Sequence, residues 1–239
     1  MKLSVVIPAK NEADNLPGLL AEIAASLQEQ AFEVIVIDDA SEDNSWALLN
    51  ELKQQYPWLR ALRFARSCGQ STAIWHGGRA ALGDYVVTID GDGQNDPADI
   101  PALLATAEAA QGNSLLCVCG IRTRRNDSWG KLMMSRIANG VRRRLLNDDV
   151  VDTGCGLKLI SRELFHMLPY FNHMHRYFPA LSKRAGAQVL SQSVNHRART
   201  AGTSKYGLNN RLWVGLVDIF GVRWLQKRAK IPTLTEELK

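Results

Sequence analysis

Long hydrophobic runs are missing from this 239-residue chain. No segment approaches the roughly 20 uncharged apolar residues that a membrane span needs, which argues against a bundle of membrane-spanning helices. The stretch from Met1 to Pro8 holds only a short apolar run before its proline, too short for the core of a signal peptide, so a cytoplasmic location is expected. Cysteine is scarce. Cys68, Cys117, Cys119 and Cys155 show no metal-ligand spacing, and Cys117-x-Cys119 lies in a strand-like run, where both read as small, reduced, buried residues. The Gly-x-Gly-x-x-Gly turn is also absent. The first strand is followed by Pro8-Ala9-Lys10-Asn11-Glu12, Gly77-Gly78 falls inside a helix, and no P-loop is present, which sets aside an NAD-dependent dehydrogenase. With no helix-turn-helix, no RNA-binding aromatic motif and no repeat, nucleic acid is not an expected partner.

What is present is an alternation of strand and helix signals over the first 120 residues. Leu3–Ile7 reads as a strand ended by Pro8, and Asn11 or Asp14 as the cap of a helix running to about Gln30. Phe32–Ile37, Leu59–Ala65, Tyr85–Ile89 and Ser114–Ile121 follow as strands, with helices between them opened by Ser41–Ser45, Gly69 and Asp96-Pro97. Successive units of this length imply an α/β fold whose mainly parallel sheet is covered by helices on both faces. Ligands of such sheets sit beyond the C-terminal strand ends. The loops there carry Pro8 and Glu12, then Asp38 and Asp39, then Asp90 and Asp92. The second half is less regular, with a glycine turn at Asp152–Gly156, a strand at Gln188–Asn195, and helices at Ser128–Leu146 and Leu208–Lys230.

The densest chemistry lies in Asp90-Gly91-Asp92-Gly93-Gln94, directly after a β-branched run. Two carboxylates one residue apart and an amide oxygen two further on are hard ligands, suited to Mg²⁺ or Mn²⁺ already coordinated in part by phosphate. Charge adds a second clue. Residues 122–144 hold eight Lys/Arg against Asp127, and residues 197–230 hold eight against Asp218, while the remainder carries 22 acidic and 13 basic residues. Positive charge concentrated in two segments implies an anionic partner: phosphates, an anionic membrane surface or nucleic acid.

Val5–Glu12, Val36-Ile37-Asp38-Asp39-Ala40-Ser41 and Gly83 through Asp90-x-Asp92 together resemble the family 2 glycosyltransferases of GT-A fold. Gln94 and Arg197-Ala198-Arg199-x-x-Gly202-x-Ser204-Lys205-Tyr206 narrow the resemblance to the dolichol- and polyprenyl-phosphate branch. It implies that Pro8, Glu12, Ile37 and Asp39 line a nucleoside pocket, that Gly91 lies close to the diphosphate, and that Asp90, Asp92 and Gln94 hold the divalent ion. It further implies that Arg122 binds phosphate and that Arg199 and Lys205 sit on a loop closing over diphosphate and acceptor. Lys10 stands where the family often has Tyr, and Gly91 and Gly93 replace the commoner Ala and Leu. The membrane hairpin of some relatives has no counterpart here, so membrane contact is expected from elsewhere.

The expectation is a catalytic domain at 1–207 and a basic amphipathic extension at 208–239 on the acceptor side. The enzyme would move one sugar from a nucleoside-diphosphate donor to a polyprenyl phosphate, with inversion, as a peripheral protein of the inner membrane face. A homo-oligomer or a membrane-protein partner stays open beside this. The rival within the family is a hydroxyl acceptor, which needs a general base, and Asp152 is the candidate. His173-x-His175 has no further ligand at metal spacing. His196 suits either phosphate contact or packing. In the C-terminal helix Trp213, Leu216, Val217, Phe220 and Trp224 form one face, which suits a lipid interface and packing on the domain equally.

Overall fold

The computed structural model describes residues 1–110, 112, 114–123, 140, 142–198 and 209–230. Strands β1 (Leu3–Ala9), β2 (Phe32–Asp38), β3 (Leu59–Arg63) and β4 (Tyr85–Thr88) alternate with helices α1 (Leu16–Ser26), α2 (Ser45–Gln55) and α3 (Gln70–Ala80). A 3₁₀ turn at Pro97–Asp99 leads into α4 (Ile100–Ala109), followed by β5 (Leu116–Arg122), β6 (Lys158–Ser161) and α5 (Arg162–Met167). Then come a second 3₁₀ turn (Met174–Tyr177), α6 (Phe178–Arg184), β7 (Gln188–Val194) and α7 (Asn209–Arg228).

The seven strands lie in the order β3-β2-β1-β4-β6-β5-β7. All neighbours are parallel except β6, which runs antiparallel to both β4 and β5. The expected α/β class with a mainly parallel sheet is therefore what the chain forms. The strands read as continuous Val/Ile runs because helices bury both faces. One apolar layer joins α1, α2 and α4 through Leu16, Leu20, Ile23, Leu49 and Leu103. The other joins α3, α5, α6 and α7 through Ile74, Phe165, Phe178, Leu181, Ile219 and Val222. Gly77-Gly78 makes that second layer close. A Cβ on Gly77 would meet Val6 and Ile37 at 2.5 Å, and one on Gly78 would meet the Phe165 ring at 2.2 Å.

Some boundaries differ from the sequence reading. β1 does not stop at Pro8; it pairs with β2 through Ala9. β4 has left the ladder after Val6, so the missing N–H of Pro8 falls on an unpaired side. Neither Asn11 nor Asp14 caps α1. Asn11 has a positive φ of 53° and uses its side chain to accept from Glu42 N at 2.8 Å, and Asn15 takes the cap position. No helix among the described residues is long and apolar enough to cross a membrane. The boundary expected at 207/208, and most of the helix expected at 128–146, lie outside the described residues.

Candidate active site

The loops after β1 and β2 are stitched together by backbone donors. Asn11 N donates to Ser41 Oγ at 2.9 Å, Glu12 N to Ser45 Oγ at 3.0 Å, and Ala13 N to Asp43 Oδ2 at 3.2 Å. Pro8 and Glu12 thus stand on a rigid edge, with Glu12 Oε2 accepting from Asn15 Nδ2 at 2.7 Å. Two residues expected at a nucleoside pocket have partners inside the protein. The Ile37 side chain is fully buried against α3 instead of facing that edge, because alternate residues of β2 point to the two covered faces. Asp39 turns its carboxylate onto the loop before α3, accepting from Cys68 N at 2.6 Å, Ser67 Oγ at 2.8 Å and Gly69 N at 2.9 Å. That clamp fixes where α3 begins.

The first residue of α3 is Gln70, whose Nε2 donates to Asp90 Oδ1 at 2.7 Å. Asp90 is held on three sides. Its N–H meets Asn95 Oδ1 at 3.3 Å, and a Cβ on Gly156 would come within 2.2 Å of its Oδ2. Asp92 Oδ1 accepts from Gln94 N at 3.2 Å, which curls the loop back so that both carboxylates share it. Gly91 runs against β1, with Pro8 O only 3.0 Å from where a Cβ would stand. Burial first, and the neighbouring Asp92 charge second, push the Asp90 carboxyl up to about 6. The cations Lys158 and Arg122 oppose that rise without cancelling it.

A loop bearing two crowded carboxylates, one of them driven toward protonation, fits a divalent cation. The ion's charge removes the repulsion that raises Asp90. Among the described residues no group of three or more His, Cys, Asp or Glu gathers; an amide such as Gln94, donor phosphates and water are the further oxygen ligands that suit such a pair.

Arg122 ends β5 beside this loop, and Asp152 takes its guanidinium in a fork, Nε to Oδ2 at 2.7 Å and NH2 to Oδ1 at 2.8 Å. Asp152, the base a hydroxyl acceptor would need, has both oxygens bound to this cation. The loop carrying Asp152 is built on two buried cations. Lys158 Nζ donates to the carbonyls of Thr153 and Cys155. Arg142 reaches Asp148 at 3.0 Å, Val150 O at 2.6 Å and the Thr153 hydroxyl. Within the run Arg142-Arg143-Arg144, Arg142 is therefore internal, while Arg143 and Arg144 are exposed.

The histidines hold no common ligand. His173 Nδ1 faces Asp218 at 3.1 Å, whereas His175 Nδ1 faces Ser71 Oγ at 2.6 Å. His196 bridges in antiparallel fashion to Asn95, beside the backbone bond from Arg197 N to Gln94 O at 2.9 Å. Arg199 and Lys205 lie outside the described residues. Sequence reasoning missed Gln70, Gly156 and Lys158. Only Gln70 left a signal, as the first helical residue after a glycine at one strand end.

The fold is of the GT-A glycosyltransferase type. It superposes on glucosyl-3-phosphoglycerate synthase from Mycobacterium tuberculosis, solved with Mn²⁺, uridine diphosphate and phosphoglyceric acid. The TM-score is 0.71 at 21% identity, over 97% of this chain and 80% of that one. Residues 4–168 match the model of glycosyl transferase family 2, and the chain belongs to that family. Among curated proteins it is 34% identical over 210 residues to undecaprenyl-phosphate 4-deoxy-4-formamido-L-arabinose transferase of Serratia proteamaculans, and 35% over 209 residues to the protein of that name in Proteus mirabilis. The matches take in 87% and 86% of this chain but 63% of each relative's length.

Proposed function

We propose that this protein transfers a single sugar from a nucleoside-diphosphate donor to a polyprenyl phosphate, with inversion at the anomeric carbon. The carrying observation is the acidic pair Asp90/Asp92 with the forked Arg122 beside it at the C-terminal sheet edge. Mg²⁺ or Mn²⁺ held by Asp90, Asp92 and the Gln94 amide would supply Lewis-acid charge to the departing diphosphate. Arg122, its guanidinium held in place by Asp152, supplies fixed positive charge beside the acidic loop, and Arg199 and Lys205 are proposed to add to it from the acceptor side. Pro8, Glu12 and Gly91 border the donor, and Asp39 shapes that border through the loop it clamps.

A phosphomonoester acceptor loses its second proton near a pKa of about 6 and is already an anionic nucleophile at neutral pH. It needs cations, and no general base. The fork between Asp152 and Arg122 agrees with that, since a carboxylate bound through both oxygens is poorly placed to accept a proton. The curated relatives are named as undecaprenyl-phosphate transferases, which supports the same acceptor class. Residues 1–207 are read as the catalytic unit and 208–239 as the part working peripherally at the inner membrane face.

The test is sugar transfer from a panel of GDP- and UDP-sugars to polyprenyl phosphate with Mg²⁺ or Mn²⁺, using Asp92→Asn as control. A lipid-soluble glycosylated product, absent in the variant, is expected. Donor binding without such a product from any donor would sink the acceptor assignment.

A further inference from the structure

The C-terminal ends of the two basic segments meet in space, through contacts 78 and 80 residues apart in sequence. Arg223 NH1 donates to Leu145 O and Gln226 Nε2 to Leu146 O, both at 2.7 Å, which lays the C-terminal half of α7 along the helical turn at 142–146. Arg143 and Arg144 on that turn, and Arg223, Lys227, Arg228 and Lys230 at the end of α7, are all exposed. The acids of these two described stretches are each taken by another partner: Asp148 by Arg142, Asp149 by Lys183 and Asp218 by His173.

The same helix keeps an apolar stripe outside. Ile219 and Val222 turn inward and join the core, so α7 is packed on the domain. Val217, Phe220 and Trp224, spaced three and four apart, point the other way and are 69%, 67% and 58% exposed. Arg228 sits over the Trp224 ring at 5.7 Å. The sequence had offered two roles for one face, lipid contact or packing. The helix divides them between two faces.

We propose that the Val217–Phe220–Trp224 stripe and the cations beside it form a docking surface for an anionic lipid bilayer. The proposal rests on the lipid-phosphate acceptor reading for its purpose, though not for its geometry. An apolar stripe flanked by lysine and arginine suits insertion at the headgroup boundary, where aromatic rings are favoured and cations meet lipid phosphate. Nucleic acid would reward the cations but not the exposed Val217 and Phe220. A second copy meeting the first face to face across a two-fold axis would set like charges together.

The stripe is mounted on the body that carries the site. Tyr177 Oη donates to Gly215 O at 3.1 Å and Arg184 Nε to Leu225 O at 3.0 Å, while His173 holds Asp218. Two residues beyond His173, His175 meets Ser71, which directly follows Gln70, the residue bonded to Asp90. A bilayer bound by α7 would thus hold the sheet edge at a set distance from a membrane-embedded acceptor.

The test is co-sedimentation of the full chain with phosphatidylglycerol-containing vesicles and with pure phosphatidylcholine vesicles. It is repeated for Phe220→Ala/Trp224→Ala and for Arg143→Glu/Arg228→Glu. Binding to the anionic vesicles is expected, weakened about tenfold or more in the apolar variant and about fivefold or more per reversed cation. Because all four positions are exposed, each variant should keep the parent's circular dichroism and melting temperature. Turnover on a detergent-dispersed acceptor should be unchanged, and turnover on a vesicle-embedded acceptor should fall. Equal vesicle binding by wild type and variants, no preference for anionic lipid, a dimer lost in the apolar variant, or binding of duplex DNA in place of vesicles would each overturn the proposal. Vesicle binding with no transfer to polyprenyl phosphate would leave the docking surface standing and sink the acceptor assignment instead.

Discussion

Gln70 at the start of α3 donates its side-chain amide to Asp90 Oδ1 at 2.7 Å, linking the loop that Asp39 clamps to the acidic loop after β4. The bond pins one oxygen of a carboxylate that burial and Asp92 both push toward protonation. Gln70→Ala should weaken Mn²⁺ binding in the presence of donor by about tenfold, the scale of a hydrogen bond to a charged group. Gln70→Glu loses the same bond but adds negative charge that attracts the cation, so it should bind Mn²⁺ more tightly than Gln70→Ala does. Calorimetric titration of the metal reads both, and unchanged affinity in Gln70→Ala would remove this residue from the site.

Gly156 leaves no room for a side chain beside Asp90 Oδ2. Gly156→Ala must displace the carboxylate or the β6 loop, at a cost of about 1–3 kcal/mol for overpacking. Activity should fall far more than the melting temperature does. A variant with wild-type turnover would show that the acidic loop tolerates the shift.

Arg122 and Asp152 should behave as one unit. Arg122→Lys loses the fork and Asp152→Asn loses the charge that holds it, each lowering kcat/KM by roughly tenfold to a hundredfold through a weaker charge-assisted pair. The double variant should fall little below the worse single one, because the two substitutions remove the same interaction. Additive losses in a full kinetic cycle would separate the residues and restore Asp152 as a base. Removing the cation alone, in Arg122→Ala, should also destabilise the fold by about 3–5 kcal/mol by stranding a buried carboxylate.

The arginine run should split. Arg142→Ala is expected to cost about 3–5 kcal/mol, because it strands buried Asp148 and frees the Val150 carbonyl. Arg143→Ala and Arg144→Ala should stay within about 0.5 kcal/mol of wild type. Burial already raises the Asp148 carboxyl against the pull of Arg142, so the pair has little to spare when the cation goes. Urea titration of the three variants decides the matter.

His175 should impose a pH dependence on stability. Burial, then the charges of Lys158, Arg176 and His173, hold its imidazole well below the ordinary 6.5, and Ser71 meets its Nδ1. The unfolded chain therefore binds the proton first as pH falls. The stability this group provides is complete above pH 6.5 and drains away below it, toward the depressed folded value. Asp90, raised to about 6, works in the opposite direction over an overlapping range, so the difference between wild type and His175→Asn is the informative quantity. Melting temperatures should converge as pH drops below 6.5, and a constant gap would show that His175 is not buried neutral.

Much of the fold could be read directly from the chain. Val/Ile runs spaced by helical patterns announce a covered parallel sheet, and the acids after β1, β2 and β4 fall at its C-terminal edge because parallel strands all end there. The antiparallel β6 was less legible, since four residues of strand carry no mark of direction. The packing and hydrogen-bond partners of Ile37, Asp39 and Arg142 could not be read at all. Which way a β2 residue points, or whether an arginine finds a buried acid six residues on, depends on neighbours that periodicity does not name.

The sequence alone determined the order of elements, the acidic loop with its candidate metal ligands, and the two segments that concentrate positive charge. These are local or compositional properties, carried by spacing and residue type. Tertiary structure decided which carboxylates stay open and which are taken: Asp39 by the loop before α3, Asp152 by Arg122 and Asp148 by Arg142. It also decided that α7 turns Ile219 and Val222 inward and leaves Phe220 and Trp224 outside. A helix carrying apolar residues on more than one side has no preferred buried face until the surface it packs against exists.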